Sequence, residues 1–331
     1  MHKYRLYGLR ISSSRPIKLL EEEGFSRPDL TVNWDVSAPS TPDNAPGWKP
    51  VSTRLLDELT DVSLWETEDE NGRWMKVVFR VDEVRNLSFV IDQARENLRI
   101  YHREDEPAGN LESYFVGPVL SFILRLRGTV CLHSSVVAID GRAVALAGHA
   151  TAGKSTLAAG LAGAGAGVLS DDIAAINPQK ESFLVQTGYS KVRLRPVAAR
   201  YLTENPEALP MVYAHRQSRY VSLEKGKIFR SQPLPLGAIY LLGEISDEYR
   251  RPFVRPVRSQ DKLIELIKNT SGSYVVRGGS RTDEFLVLAE IARRIPVRRL
   301  YYAHDISTLP DQCRLILEDF RDLAKQSSTP L

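Results

Sequence analysis

Polar and apolar positions alternate through much of the first hundred residues, the period of half-buried strands. Strand composition marks 4–12 (YRLYGLRIS), 30–37 (LTVNWDVS), 87–92 (LSFVID) and 98–103 (LRIYHR). Between two further strand-like runs in 62–81 stand Asn71 and Gly72, a pair suited to the left-handed backbone of a tight hairpin turn. Four prolines in 38–50 (APSTPDNAPGWKP) remove ladder donors and predict a mobile loop.

The pattern changes near Glu106-Pro107-Ala108-Gly109. Apolar spacing over 111–128 (LESYFVGPVLSFILRLRG) predicts one largely buried helix, closed by Arg125, Arg127 and Gly128. A boundary is expected here, giving a smaller β-rich N-terminal domain over 1–108 and a second domain over 109–331. Two apolar strands follow, 129–139 and 142–148, joined by Asp140-Gly141. Beyond a glycine loop, 156–164 (TLAAGLAGA) predicts a helix, and 167–176 (GVLSDDIAAI) a buried strand carrying two aspartates at or near its end. Strands are expected within 184–195, 219–224 and 237–245. Helices are expected over 196–203, 259–268, 282–294 and 310–325, with Thr282 capping the third. Strands and helices mixed around a strand, loop and helix predict an α/β domain.

Composition narrows the classes. A chain of 331 residues exceeds the usual limit of a single core, which favours two domains. With 44 basic against 41 acidic residues, the net charge of +3 gives no electrostatic case for nucleic acid as a partner. Neither a signal-like apolar stretch at the start nor a run of 18 apolar residues occurs, so a cytoplasmic protein without a membrane partner is expected. The two cysteines, Cys131 and Cys313, exclude a disulfide framework and a cysteine-rich zinc site. His2, His102, His215 and His304 stand at no metal spacing. Nothing in the pattern sets an oligomeric state.

The chemistry concentrates in VALAGHATAGKST (144–156), where 148–155 fit G-x-x-x-x-G-K-[ST]. Loop and helix N–H groups would point at phosphate oxygens, with the helix dipole adding positive potential. Gly148, His149, Ala150, Thr151, Ala152, Gly153, Lys154, Ser155 and Thr156 are thus expected to bind ATP. Lys154 would neutralise the β- and γ-phosphates and the Ser155 hydroxyl would ligate Mg²⁺. Asp171 and Asp172 come next in the chain: one carboxylate would hold the metal, and a second could take the proton of an attacking hydroxyl. Adjacent side chains on a strand face opposite ways, so both can serve only if the strand turns there; otherwise one is merely solvated. His133 alone would read as a core histidine.

The segment LHSSVVAIDGRAVALAGHATAGKSTLAAGLAGAGAGVLSDDIAAI (132–176) resembles the HPr kinase/phosphorylases, and more closely the HPr-kinase-like serine kinases found with lasso peptide biosynthesis. A weaker likeness runs from 124–128 through 188–196 to 295–310. The resemblance implies a P-loop, HPr-kinase-like core sheet flanked by helices. It also implies that Asp171 is the catalytic carboxylate, that Asp172 is a Mg²⁺ ligand with Ser155, and that His133 sits beside the transfer site. Two departures stand out. Thr151 occupies a loop position where the family usually has glycine, which predicts strain if φ is positive. No match is found to the segment tied to phosphorolysis; Arg193, Arg195, Arg216 and Arg219 stand there as candidates to contact phosphate.

A serine kinase is therefore expected, with a peptide or protein serine as acceptor and, by the lasso likeness, the C-terminal serine of a precursor peptide. Two other readings remain open: a nucleotide-sensing regulatory binder, and a small-molecule kinase acting on free serine. The N-terminal domain would either recognise a leader segment or serve as scaffold.

Overall fold

The computed structural model of the chain describes residues 1–36, 47–57, 60–70, 72–80, 86–213, 216–223, 228–272 and 279–327. Most of the proline-rich 38–50 stretch, Asn71 and His215 lie outside these. The protein is mixed α/β, and its contacts divide it into two units, Met1–Arg127 and Gly128–Ser271 with Gly279–Leu331.

In the first unit, β1 (His2–Leu6), β2 (Leu9–Ser13), β3 (Leu30–Val36), β4 (Lys49–Asp57), β5 (Thr60–Asp69), β6 (Gly72–Arg80), β7 (Asn86–Asp92) and β8 (Asn97–His102) form one sheet in the order β1-β2-β3-β8-β7-β6-β5-β4. The stretch 4–12 is a hairpin rather than one strand, because Tyr7 and Gly8 both take positive φ, 52° and 82°, and turn the chain between Leu6 and Leu9. The expected hairpin of 62–81 is the β5–β6 ladder, which runs out to Asp69 opposite Gly72.

The helix expected over 111–128 is broken. α1 (Ala108–Tyr114) and α2 (Leu120–Leu126) flank a π-helical turn, Phe115–Val119, where Pro118 lacks an N–H and Gly117 leaves helical geometry at φ −97°, ψ −106°. This segment packs on the first sheet: Tyr114 lies 4.9 Å from Phe79, Phe115 meets Trp34 edge-on at 5.9 Å, and Glu112 accepts from the Leu19 N–H at 3.1 Å. An apolar helix follows the nearest apolar face, so the division falls after Arg127 and not at 108/109.

The second unit contains β9 (Val130–Ile139), β10 (Arg142–Gly148), α3 (Lys154–Gly163), β11 (Gly167–Ser170), β12 (Ile173–Pro178), β13 (Phe183–Val185), β14 (Lys191–Leu194), α4 (Pro196–Leu202), β15 (Met211–Tyr213), β16 (Arg216–Ser222), β17 (Leu234–Ile245), β18 (Phe253–Pro256), α5 (Ser259–Lys268), α6 (Gly279–Arg294), β19 (Val297–Tyr302) and α7 (Leu309–Ser327). Pairings run β10-β9-β12-β13-β17 and return to β10, closing a ring; β19 and β18 continue outward from β17, and β11 pairs with β9. A small separate sheet has the order β14-β16-β15. Because β10, β17 and β19 are parallel, their C-terminal ends lie together, the place where α/β sheets take ligands.

Apolar clusters fill the sheet from both faces. Leu146, Leu157, Leu161, Tyr240, Ile316 and Phe320 pack on the side of α3 and α7. Ala145, Leu169, Ile239, Leu266 and Ile291 pack on the side of α5 and α6. At Gly160 the two helices α3 and α7 come so close that a Cβ would meet Cys313 Sγ at 2.9 Å. Asp319 fastens α7 to the sheet, accepting from the Tyr240 hydroxyl at 2.7 Å and pairing with Arg298.

Candidate active site

The glycine loop runs from the end of β10 into α3, as its sequence predicts. Gly148 cannot carry a side chain, since a Cβ would meet Leu242 O of β17 at 2.6 Å. Gly153 caps α3 at φ 83°, and Thr151 takes φ 76°, so the strain expected of a β-branched residue there is present. His149, Ala150 and Thr151 form the exposed rim, Ala152 is buried, and Thr156 is half-buried. The Tyr302 hydroxyl donates to Ala152 O at 2.5 Å and pins the loop to β19. Burial pushes that phenol up to about 12, which keeps its proton at ordinary pH.

Lys154 curls back into the loop. Its Nζ donates to Gly148 O at 2.9 Å and His149 O at 2.8 Å, with only 7% of the residue exposed. Burial pushes the ammonium down to about 8, against the pull of Asp172 and Asp171.

The buried run 167–176 is two strands. β11 stops at Ser170, Asp171 and Asp172 form a bend, and Asp172 takes φ 79° before β12 begins. That bend meets the condition for both carboxylates to face one site. Asp171 is 1% exposed; its Oδ1 accepts from Ser155 Oγ at 2.8 Å and Ser135 Oγ at 2.5 Å, and its Oδ2 from the Arg193 N–H at 2.8 Å. Asp172, 21% exposed at its side chain, pairs with Arg193 at 3.2 Å and lies 3.6 Å from His133 Nδ1. Burial pushes Asp172 up, but Arg193, His133 and Lys154 together outweigh it and hold the carboxyl below its ordinary value. Burial likewise pushes His133 below its ordinary value despite Asp172. The imidazole is therefore mostly neutral at pH 7.

Ser155 thus bonds to Asp171, whereas the sequence reading paired it with Asp172. Of the four candidate arginines, Arg193 reaches the site. Arg219 pairs with Glu207 at 3.0 Å, Arg195 is exposed at the start of α4, and the side chain of Arg216 lies outside the described residues. Sequence reasoning missed Ser135, Tyr302 and Gly188. Ser135 carried a faint signal, two residues from His133 and so on the same face of β9. Gly188 carried none; it matters because a Cβ there would meet Ser170 Oγ at 2.6 Å, next to the acidic bend.

The donor set suits the expected ligands. A buried ammonium whose hydrogen bonds go to carbonyls can still take an anion, and a hydroxyl beside a carboxylate offers the hard oxygens Mg²⁺ prefers. Among the described residues, no three His, Cys, Asp or Glu side chains are placed to hold a metal on their own, and no helix is long and apolar enough to cross a membrane.

No family model matches the chain, and no curated protein matches it. Among solved structures, the chain is similar to the Hpr(Ser) kinase/phosphatase from Coxiella burnetii, with 13% identity, coverage of 59% of this chain and 98% of that chain, and a TM-score of 0.34.

Proposed function

We propose that this chain is a magnesium- and ATP-dependent kinase that transfers the γ-phosphoryl group to a serine hydroxyl of a peptide or protein. One observation carries the reading: Lys154 and Ser155 at the start of α3 stand with two carboxylates, both turned to the loop by the bend at Asp172. A loop that only binds nucleotide needs one such carboxylate. The second, ionised and partly open, suits an incoming hydroxyl.

Ser155 and Asp171 would hold Mg²⁺, which when bound supplies positive charge beside the phosphate oxygens. This exchanges the roles that the family resemblance implies for the two aspartates. Lys154 neutralises phosphate charge from inside the loop. Asp172 accepts the hydrogen bond of the serine hydroxyl and aims its oxygen in line at the γ-phosphorus. As the new P–O bond forms and the bond to the β-phosphate oxygen breaks, the hydroxyl proton passes to Asp172. Arg193 keeps Asp172 ionised, and His133, its Nδ1 3.2 Å from the Asp172 carbonyl oxygen, braces the bend that carries it.

Incubation of the protein with Mg²⁺ and γ-labelled ATP should place label on a serine peptide and not on free serine, and Lys154→Ala should abolish the transfer. Preference for a peptide ending in serine would support a precursor-peptide acceptor. Asp172→Asn should lower kcat about 100-fold while nucleotide affinity changes little. Tight nucleotide binding with no label on any acceptor would leave a sensor in place of a kinase.

A further inference from the structure

α5 and α6 pack against each other over one face of the second unit's sheet, with Leu266, Leu288 and Ile291 turned inward to hold them there. Their outward sides are not those of ordinary solvated helices. Ile264 and Ile267 stand exposed on α5, and on α6 Phe285 and Leu286 are 48% and 60% exposed. Paired helices that leave four large apolar side chains in water present a surface suited to burial against a partner.

The charge along α6 says what that partner is. Asp283 and Glu284 stand near its start, and Arg293 and Arg294 occupy its last turn. Asp283 is exposed, and Arg293 is paired only within its own helix, to Glu290 at 2.6 Å, with its side chain 71% exposed. Such a pair is weakly held, and the guanidinium has donors left for a second carboxylate. Phe285, Leu286, Ala289 and Arg293 follow helical spacing and share one outward stripe, opposite the buried Leu288 and Ile291.

A stripe that is acidic at one end, apolar in the middle and basic at the other is complementary to itself once reversed. Asp283 and Arg293 lie five residues either side of Leu288, so two α6 helices laid antiparallel about that point bring each Asp283 to the partner's Arg293. Leu286 then meets the small Ala289 across the axis, and the short side chain lets the helices approach. A parallel pairing would set like charges together.

We propose that the outward face of α6, flanked by Ile264 and Ile267 of α5, is the contact of a twofold dimer of this chain, with the two α6 helices antiparallel. The contact is independent of the nucleotide chemistry.

Sedimentation velocity of the full chain over a concentration series tests it. Wild type should pass from monomer to dimer by about 100 μM, and Leu286→Lys should weaken the dimer at least tenfold. Asp283→Arg and Arg293→Glu should each do the same alone, while an equal mixture of those two variants should dimerise again, because one copy is then basic at both positions and the other acidic. That restoration also shows that the two variants are folded. Wild type that stays monomeric at about 100 μM overturns the contact. So does a dimer indifferent to Leu286→Lys, or a mixture that associates no better than its components.

Discussion

At the scale of single residues, Lys154 ties the glycine loop to pH. Its ammonium is pushed by burial to about 8. Above that pH the free protein holds it increasingly uncharged, and a bound polyphosphate must restore the proton. Affinity for Mg-ATP should therefore be flat between pH 6.5 and 7.5 and fall by up to about tenfold per unit above 8, as titration calorimetry would read. Constant affinity to pH 9.5 would remove the lysine from phosphate binding. The sign for stability is opposite: the unfolded lysine keeps its proton to higher pH, so this group's contribution to stability rises as pH climbs through 8 toward the unfolded value. Lys154, Ser155 and the aspartates were legible because they sit in one local motif. Ser135 and Tyr302 were not, since their partners lie 36 and 150 residues away and are set by strand register.

Among the elements, lengths and types were read more readily than their interruptions. The boundaries of α4 and α5 lie within a residue of expectation, and α6 and α7 within three at each end. The misreadings were runs of uniform composition that the fold bends: 4–12, 111–128, 167–176, and 184–195, which supplies β13 and β14 to different sheets. Apolarity says that such a run is buried but not where it turns. The α3–α7 contact provides a paired test. Gly160→Ala places a methyl within 3.0 Å of Cys313 Sγ and at 3.0 Å from Leu309 Cγ, and should destabilise by about 1–3 kcal/mol. Gly163→Ala in the same helix meets nothing within 4 Å and should stabilise by up to about 1 kcal/mol. Urea denaturation followed by circular dichroism reads both, and equal shifts of the same sign would contradict the close packing.

Across the whole molecule, the existence of two units was legible from chain length and the change of pattern, while the assignment of 108–126 depended on which sheet offered it an apolar face. Trp34, Trp48, Trp65 and Trp74 all belong to the first unit, so tryptophan emission reports its unfolding while circular dichroism weighs both units. Mg-ATP at 100 times its Kd should add about 2.7 kcal/mol to the second unit and raise its melting transition, leaving the emission-detected transition in place. Coincident shifts in both signals would mean that the units unfold as one. The ring of strands around β10 has a last consequence, for behaviour in concentrated solution. Beyond it the sheet ends at β18, four residues with Pro252 immediately before and Pro256 at the close. A second molecule seeking to lengthen that ladder finds too few free amides to hold it, so growth into fibrils has no starting template on that side.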